Sequence, residues 1–284
     1  MADVTDISPL ARVMRHVDEV ADGAPSPDTV RTGFPSVDKL LGGGARRGDL
    51  VVLGGDVSSG KSALALAMAL RAAQGERNAA FLTGEMSVSR VLERTLAMEG
   101  RVSVDGIRGG KLDEGSRASI GAAAVRLRAL LPHIDRLPLG GVAPLGEELR
   151  RQIDLELAVV DSLQSLTTGA RARDEELAVA VRELKALAVD LDIAIVVTTQ
   201  LPALQRDRND LRPRLGDYGA LGAVAEYADV VLGLFREEMY DTARGIEGAT
   251  ELIVNKNRNG GTSYADLYFY KKWMRFEDML DPDR

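Results

Sequence analysis

Residues 55 to 62 read Gly55-Asp56-Val57-Ser58-Ser59-Gly60-Lys61-Ser62, which matches the pattern G-x-x-x-x-G-K-[ST] of a phosphate-binding loop. The loop follows the apolar run from Leu50 to Leu53 and precedes an alanine- and leucine-rich segment from Ala63 to Leu70. This order predicts a buried strand, a tight glycine turn and a helix. The alternative is a chance glycine turn between a strand and a helix, and the complete match in this context disfavours it.

Each residue type in the loop suits a phosphate ligand. Gly55 and Gly60 allow backbone angles and a close approach that a Cβ would prevent, so that N–H groups at a helix N-terminus point at phosphate oxygens. We expect Lys61 to reach the β- and γ-phosphates of ATP, and the Ser62 hydroxyl to coordinate Mg²⁺. The loop from Gly55 to Ser62 is therefore the predicted ATP site.

The composition is typical of a globular α/β protein. The 284 residues suit one large domain or two small ones, and 28% of them are charged and 45% apolar. No cysteine is present, which excludes disulfides and cysteine-ligated zinc and fits a reducing compartment. The net charge of -7 argues against a protein coated in nucleic acid, but it allows a local basic channel.

The start of the chain is acidic and lacks the pattern of a signal peptide, and no apolar run approaches the roughly 18 residues of a membrane span. We therefore expect a cytoplasmic protein without a membrane segment. An apolar stripe at helical spacing predicts an amphipathic helix from Pro9 to Val20, followed by a linker from Gly23 to Asp28. The helix packs either on a neighbouring subunit or on its own core.

This helix and linker form a predicted N-terminal unit of residues 1–30, and residues 31–284 form the predicted ATPase domain. At the start of that domain, Pro35 marks the first residue of a short helix, which the glycines from Gly42 to Gly44 end. Residues 88–135 are mostly helical in pattern, with a turn at Gly109 and Gly110.

Three further apolar runs predict buried strands, and each ends in a polar residue. These residues are Glu85, Asp161 and Gln200. Because open α/β sheets bind ligands at the carboxyl ends of their strands, we expect the three side chains beside the phosphate loop.

Their chemistry suits hydrolysis of a nucleoside triphosphate. Glu85 is the candidate that orients and deprotonates the attacking water, with ordinary helix capping by an acid as the alternative. Asp161 would hold Mg²⁺ beside Ser62, directly or through water. The amide of Gln200 would sense the γ-phosphate through a hydrogen bond.

A polar and basic segment follows the strand that ends at Gln200. It runs from Gln205 to Arg214 and contains the arginines Arg206, Arg208, Arg212 and Arg214. A solvated loop is the usual meaning of such a segment. Its attachment to the strand that would sense the γ-phosphate favours a mobile loop that grips the phosphate backbone of a polynucleotide.

A hairpin is predicted near the C-terminus, because two apolar runs flank the turn signal Asn259-Gly260. Lys256 and Arg258 lie near its tip, where cations are usually solvated. They have no obvious partner in the same chain, and we therefore expect them to complete the active site of a neighbouring subunit, where an arginine stabilises charge on the transferring phosphoryl group.

A tyrosine and the two histidines are not assigned to the predicted site. Tyr240 is a weak candidate for adenine recognition, and a packed core tyrosine is the favoured interpretation. His16 and His133 lie in segments that we expect to be helical, without the spacing of metal ligands, and they receive no role.

From about Thr32 to Phe276, the chain resembles the C-terminal ATPase domain of the DnaB family of replicative DNA helicases. The resemblance is carried by the phosphate loop, by Gly109-Gly110-Lys111-Leu112-Asp113, by the strand end Asp161-Ser162-Leu163-Gln164, by Gln200-Leu201 and by the run from Gly219 to Val230. It implies a RecA-like α/β fold, with a mostly parallel twisted sheet flanked by helices and a C-terminal antiparallel hairpin. It also maps the family's catalytic glutamate to Glu85, its arginine finger to Arg258 and the adjacent lysine to Lys256.

The chain departs from that family in three respects. The family's N-terminal domain has no counterpart, and only the helix from Pro9 to Val20 matches the position of its linker helix. The glycine-rich segments around Gly42 and Gly54 and the sequence Lys256-Asn257-Arg258 also resemble RadA, a related branch-migration ATPase. The segment from Leu137 to Leu155 is short and glycine-rich compared with the helicases.

Two functions follow as hypotheses. The resemblance implies a hexameric, Mg²⁺- and ATP-dependent 5′-to-3′ helicase or translocase on single-stranded DNA, with replication or recombination proteins as partners. The alternative is an ATP-dependent assembly or regulatory protein, similar to KaiC-like relatives, that switches a protein partner. The acidic net charge and the missing N-terminal domain favour the alternative, whereas the run from Gly219 to Val230 favours the helicase.

Overall fold

The computed structural model describes residues 9–21, 28–243 and 245–279. Strands and helices alternate through most of this part of the chain. The helices are α1 (Pro9–Ala21), α2 (Pro35–Leu40), α3 (Lys61–Gln74), α4 (Val88–Gly100), α5 (Val104–Gly109), α6 (Glu114–Leu130), α7 (Val142–Arg150), α8 (Arg173–Leu191) and α9 (Ala223–Tyr227). The strands are β1 (Thr29–Val30), β2 (Ala45–Arg46), β3 (Leu50–Gly55), β4 (Ala79–Thr83), β5 (His133–Arg136), β6 (Leu157–Asp161), β7 (Ala194–Thr199), β8 (Val230–Phe235), β9 (Ala249–Asn257), β10 (Tyr264–Tyr270) and β11 (Arg275–Asp278).

Nine of the described strands form one sheet in the order β11-β10-β9-β8-β3-β7-β6-β4-β5. The pairs from β8 through β5 are parallel. At the other side of β8, β9 pairs antiparallel with β8, β10 with β9, and β11 with β10. Helices between the parallel strands make the crossover connections that such pairs require. The mostly parallel sheet with a C-terminal antiparallel hairpin confirms the predicted architecture.

Two apolar layers cover the faces of the sheet, because successive side chains of a strand point to opposite faces. On β3, Val51 and Leu53 join the layer that contains α3, whereas Leu50 and Val52 join the layer that contains α8. Every residue of β3 is buried, as its continuous apolar sequence predicts for a central parallel strand. This burial fixes the phosphate loop, which follows β3, at the middle of the sheet.

The helix that follows the phosphate loop is buried on nearly all sides. Residues 63–70 of α3 are all buried, and they are alanine, leucine and methionine, which are strong helix formers. The small alanine side chains let the helix lie close to the sheet. Its first turn therefore stands rigidly at the carboxyl edge of β3.

Two strands differ from the sequence prediction. We expected a mostly helical segment up to residue 135, but His133–Arg136 forms β5 at one edge of the sheet, and Arg275–Asp278 forms β11 at the other edge. Both are edge strands with short, partly exposed and largely polar sequences. An edge strand buries little apolar surface, so it lacks the hydrophobic run by which the inner strands were recognised.

The N-terminal helix α1 presents an exposed apolar stripe. Leu10, Val13, Met14, Val17 and Val20 are each at least 41% exposed. The linker predicted from Gly23 to Asp28 lies outside the described residues, except for Asp28. Among the helices in residues 9–21, 28–243 and 245–279, none has the length and apolar content to cross a bilayer.

Gly54 in β3 is a position where only glycine fits. A Cβ there would lie 2.3 Å from Cε1 of the buried Tyr218. We expect Gly54→Ala to lower the free energy of unfolding by about 1–3 kcal/mol, because the packed tyrosine has to move. The midpoint of urea unfolding measures this loss.

The matched control is Gly121→Ala in α6, where a Cβ would meet no atom within 4 Å. There alanine should raise stability by about 0.5–1 kcal/mol, since glycine is the poorer helix former. Equal effects at the two positions would contradict the packing argument.

Candidate active site

The carboxyl ends of four parallel strands surround one cavity. The cavity has a volume of about 630 Å³, and Lys61, Ser62, Glu85, Asp161 and Gln200 all line it. The strands β3, β7, β6 and β4 lie next to one another in the sheet, which brings these residues together from positions far apart in the sequence. The structure thus places the five residues predicted for the strand ends and the loop around a common space.

The phosphate loop has the geometry that its glycines predict. Gly60 has a φ of 106°, in the left-handed region, and α3 begins at the next residue. A Cβ on Gly55 would lie 2.6 Å from Oγ of Ser59. The first N–H groups of α3 have no partner within the helix, so they are free to bind an anion.

The residues of the loop divide into two groups. Val57, Ser58, Gly60, Lys61 and Ser62 line the cavity, whereas Gly55, Asp56 and Ser59 do not. The guanidinium of Arg236 donates from outside the loop to the carbonyl oxygens of Ser59 at 3.3 Å and Ser58 at 3.4 Å. Arg236 is buried, it also lines the cavity, and it holds the loop through these two carbonyl groups.

A cation site is outlined by Ser62, Asp161 and Thr198. The hydroxyls of Ser62 and Thr198 donate to Oδ1 of Asp161 at 2.9 and 2.6 Å. The other carboxylate oxygen, Oδ2, is buried and has no hydrogen-bond partner among the described residues. Burial raises the pKa of the Asp161 carboxyl, and the two hydroxyls offset only part of that rise. A buried, unpartnered carboxylate oxygen beside a serine hydroxyl fits Mg²⁺, which prefers oxygen ligands.

Lys61 and Glu85 complete the charged part of the cavity. Burial lowers the pKa of the Lys61 ammonium, which the nearby carboxylates of Asp161, Glu85 and Asp56 oppose. Its Nζ donates to the carbonyl oxygen of Asp56 at 2.8 Å. Glu85 is exposed at the mouth of the cavity, and its Oε1 accepts a hydrogen bond from Ser162 at 2.6 Å. The serine orients a carboxylate that faces the phosphate loop.

Sequence reasoning missed Arg94, which lines the cavity from α4. Burial lowers the pKa of its guanidinium, while the Asp161 carboxylate acts in the opposite direction. In the part of the chain that the structure describes, this guanidinium has no hydrogen-bond or ion-pair partner. A signal was present, because Arg94 lies at helical spacing between the buried residues Val91 and Met98.

Gln164 is a second residue to which the sequence assigned no role. It lines the same cavity, and its amide nitrogen donates to Oγ1 of Thr199 at 2.9 Å. Its amide oxygen is buried and lacks a partner among the described residues. Two amides, those of Gln164 and Gln200, therefore face the space next to Lys61.

Lys256 and Arg258 have partners in their own chain, and the expectation that they lack one was wrong. The Lys256 ammonium donates to the carbonyl oxygens of Ala225 at 2.8 Å and Ala228 at 2.5 Å. The Nε of Arg258 lies 3.2 Å from Oδ1 of Asp229. The reason is topological, since β9 pairs with β8 and brings its end beside the segment before β8. Neither cation lines the cavity of its own chain.

The arginines after β7 form ion pairs that fold the loop, instead of standing free in solvent. Bidentate pairs join Arg206 to Asp56 of the phosphate loop, Arg208 to Asp217, and Arg212 to Glu251 of β9. The guanidinium of Arg214 lies 3.8 Å from a carboxylate oxygen of Asp210. Contact of these arginines with DNA stays a prediction.

Tyr240 and His133 also have positions that the sequence did not indicate. The Tyr240 ring stacks on Phe235 and its hydroxyl donates to Asp56 at 3.1 Å, so it supports the phosphate loop. Burial and the Asp56 carboxylate raise the pKa of Tyr240 to about 12.

His133 is in a strand, which corrects the helical prediction, and its ligand atoms lie within 4.8 Å of those of Asp135 and Glu148. Glu148 already accepts hydrogen bonds from Arg151 and Gln152.

Sequence comparison identifies similar proteins over most of the chain. The family model described as the DnaB-like helicase C terminal domain matches residues 29–278. The chain is 30% identical over 257 residues to the replicative DNA helicase DnaB of Geobacillus stearothermophilus, covering 88% of this chain and 56% of that protein. It is 31% identical over 271 residues to the replicative DNA helicase DnaB of Leifsonia xyli subsp. xyli, covering 93% and 58%. The chain therefore spans a little over half the length of these curated relatives.

Solved structures show the same fold. A DnaB-like replicative helicase, whose structure was solved together with its interactions with primase, superposes with a TM-score of 0.87 at 22% identity, covering 98% of this chain and 68% of that one. A KaiC-like protein from Pyrococcus horikoshii OT3 superposes with a TM-score of 0.61 at 14% identity, covering 89% and 99%. At these identities the likeness concerns the fold alone, and it confirms the predicted RecA-like α/β fold.

Proposed function

Because the chain belongs to the family of DnaB-like helicase C terminal domains, we propose that it is an ATP-dependent DNA helicase or translocase. It acts in the cytoplasm on single-stranded DNA as a ring oligomer, a hexamer, together with replication or recombination proteins. The observation that carries the proposal is the hydrogen bond from Ser62 to Asp161, in a cavity shared with Lys61, Glu85 and Gln200.

The residues of this cavity have different roles in the proposed ATP hydrolysis. Lys61 and the N–H groups at the start of α3 bind the phosphates, and Ser62 and Asp161 hold Mg²⁺, directly or through water. When bound, the magnesium ion neutralises charge on the phosphate oxygens. Glu85, oriented by Ser162, accepts a proton from the water whose oxygen bonds to the γ-phosphorus as the bond to the leaving ADP oxygen breaks.

In a motor, the loss of the γ-phosphate has to change the position of the residues that contact the DNA. Gln200 follows β7 directly and begins the segment that carries Arg206, Arg208, Arg212 and Arg214. Loss of the γ-phosphate removes a hydrogen-bond acceptor from Gln200, and the segment behind it then shifts. In the proposed motor, this shift moves the arginines that contact the DNA backbone.

ATP hydrolysis with and without a single-stranded oligonucleotide tests the function. We expect the oligonucleotide to raise the steady-state rate several-fold at moderate salt, and the stimulation to weaken as salt rises, because contacts to phosphates release counterions. Duplex unwinding is the next assay. Robust hydrolysis that ignores DNA at every salt concentration would count against the motor and support the nucleotide-dependent switch of a protein partner.

A further inference from the structure

The phosphate loop contains an acid, Asp56, in a place that has to attract anions. Its side chain is only 11% exposed. The carboxylate accepts hydrogen bonds from the backbone N–H of Val57 at 2.8 Å, from the hydroxyl of Tyr240 at 3.1 Å, and from both terminal nitrogens of Arg206 at 2.8 Å. The bidentate guanidinium is the only one of these partners that carries a full compensating charge.

Arg206 is the most exposed of the three arginines in its loop that form bidentate ion pairs. Its side chain is 63% exposed, compared with 14% for Arg208 and 44% for Arg212. Arg208 and Arg212 anchor the loop to Asp217 and Glu251. One face of the Arg206 guanidinium therefore holds the phosphate loop, while the rest of it is accessible to another anion.

Asp56 links this arginine to the lysine of the active site. Its carbonyl oxygen accepts the hydrogen bond from Lys61 Nζ at 2.8 Å, while its carboxylate accepts from Arg206. One residue thus connects a cation that faces the cavity to a cation on an exposed loop. Without Arg206, the Asp56 carboxylate would keep an uncompensated negative charge in the loop that binds the phosphates, and like charges in a poorly solvated site repel strongly.

We propose that Arg206 is a positioning residue of the nucleotide site, which acts through Asp56 and makes nucleotide affinity depend on what else binds Arg206. A polyanion that draws Arg206 away from Asp56 weakens nucleotide binding, and by linkage the nucleotide weakens polyanion binding equally. This second part rests on the proposed function, because the polyanion is the single-stranded DNA of the motor. The first part concerns the nucleotide alone.

Affinity for a fluorescent ADP analogue with Mg²⁺ tests the positioning role. We expect Arg206→Gln to weaken binding by about tenfold, a typical coupling between two groups. Asp56→Asn in the same chain should restore affinity to near the wild-type value, because the uncompensated charge is gone. The matched control is Arg150→Gln, which removes an exposed ion pair with Asp190 at 2.6 Å and should leave affinity unchanged. Unaltered binding in Arg206→Gln, or no rescue in the double variant, would overturn the role.

The same titration with a saturating single-stranded oligonucleotide tests the coupling. Wild-type protein should bind the ADP analogue about fivefold more weakly with the oligonucleotide, and Arg206→Gln should show no such change. Coupling that persists in Arg206→Gln, or wild-type protein that binds both ligands independently, would contradict it. If the wild type does not bind the oligonucleotide at all, the proposed function fails, while the rescue by Asp56→Asn still decides the positioning role.

Discussion

Replacing Lys61 by alanine is expected to lower kcat for ATP hydrolysis by about a hundredfold to a thousandfold, the usual cost of removing one preorganised electrostatic group. Lys61 stands among the carboxylates of Asp161, Glu85 and Asp56, which oppose the lowering of its pKa by burial. Without the ammonium, the carboxylates of Asp161 and Glu85 face the space that has to hold a triphosphate, and Asp56 adds a third negative charge nearby. The lost charge therefore weakens both the binding of the phosphates and the stabilisation of the transition state.

Steady-state hydrolysis across ATP concentrations separates these two effects, because KM and kcat should both worsen. The control is Lys111→Ala, which removes an exposed lysine after α5. Thermal unfolding of both variants establishes that the fold is intact. A Lys61→Ala protein that hydrolyses ATP within about threefold of the wild-type rate would show that the chemistry takes place elsewhere.

The second large effect concerns Arg258, which we propose as the arginine that completes the active site of the neighbouring subunit. Arg258→Ala should lower hydrolysis by about a thousandfold or more, as expected for an arginine finger. Within its own chain Arg258 contacts Asp229, 3.2 Å away, and does not line the cavity. The Asp229 carboxylate also accepts a hydrogen bond from Lys185 at 2.6 Å and from the backbone of Leu50 at 2.9 Å. Asp229 therefore keeps partners when Arg258 turns toward a neighbour.

An experiment that mixes two inactive variants shows whether Arg258 acts on a neighbouring subunit or within its own chain. An Arg258→Ala chain supplies Lys61, and a Lys61→Ala chain supplies Arg258, so an interface between them contains one complete site. In a head-to-tail ring of equal parts, about a quarter of the interfaces have this arrangement, and hydrolysis should return to that fraction of the wild-type rate. Recovery should require that the two proteins exchange subunits. A mixture as inactive as its components would mean that Arg258 works within its own chain.

Lys256 differs from Arg258 in its contacts within the chain, because it binds carbonyl oxygens and not the Asp229 carboxylate. Lys256 is held by the carbonyl oxygens of Ala225 and Ala228, at the end of α9, and Arg258 lies two residues further along. In this arrangement Lys256 fixes the end of β9 from which Arg258 projects. Within its own chain, Lys256 is therefore tied to the segment before β8, and its contribution to a neighbouring site stays a prediction.

Residues 50–62 by themselves determined the local structure of the phosphate loop. A buried strand, two glycines and a strong helix former in succession favour this loop conformation locally. Contacts from Arg236 and Tyr240 then support it. The inner strands were recognisable for a similar reason, because a strand buried on both faces has to be apolar throughout. Since Glu85, Asp161 and Gln200 end such strands, their place at one edge of the sheet followed from the rule for parallel α/β sheets.

Only the tertiary structure decided which charges meet. Arg206 and Asp56 are 150 residues apart, and Arg258 meets Asp229 because the sheet order places β9 beside β8. The sequence between them contains other acids, and nothing in local spacing selects the partner. The sequence likewise did not predict the burial of the Asp161 carboxylate or the place of Arg94 in the cavity. It also did not predict the polar edge strands β5 and β11. The physical reason is that the order of apolar and polar residues within one segment indicates which side chains are buried. The partner of a charged side chain depends instead on how segments far apart in the chain pack together.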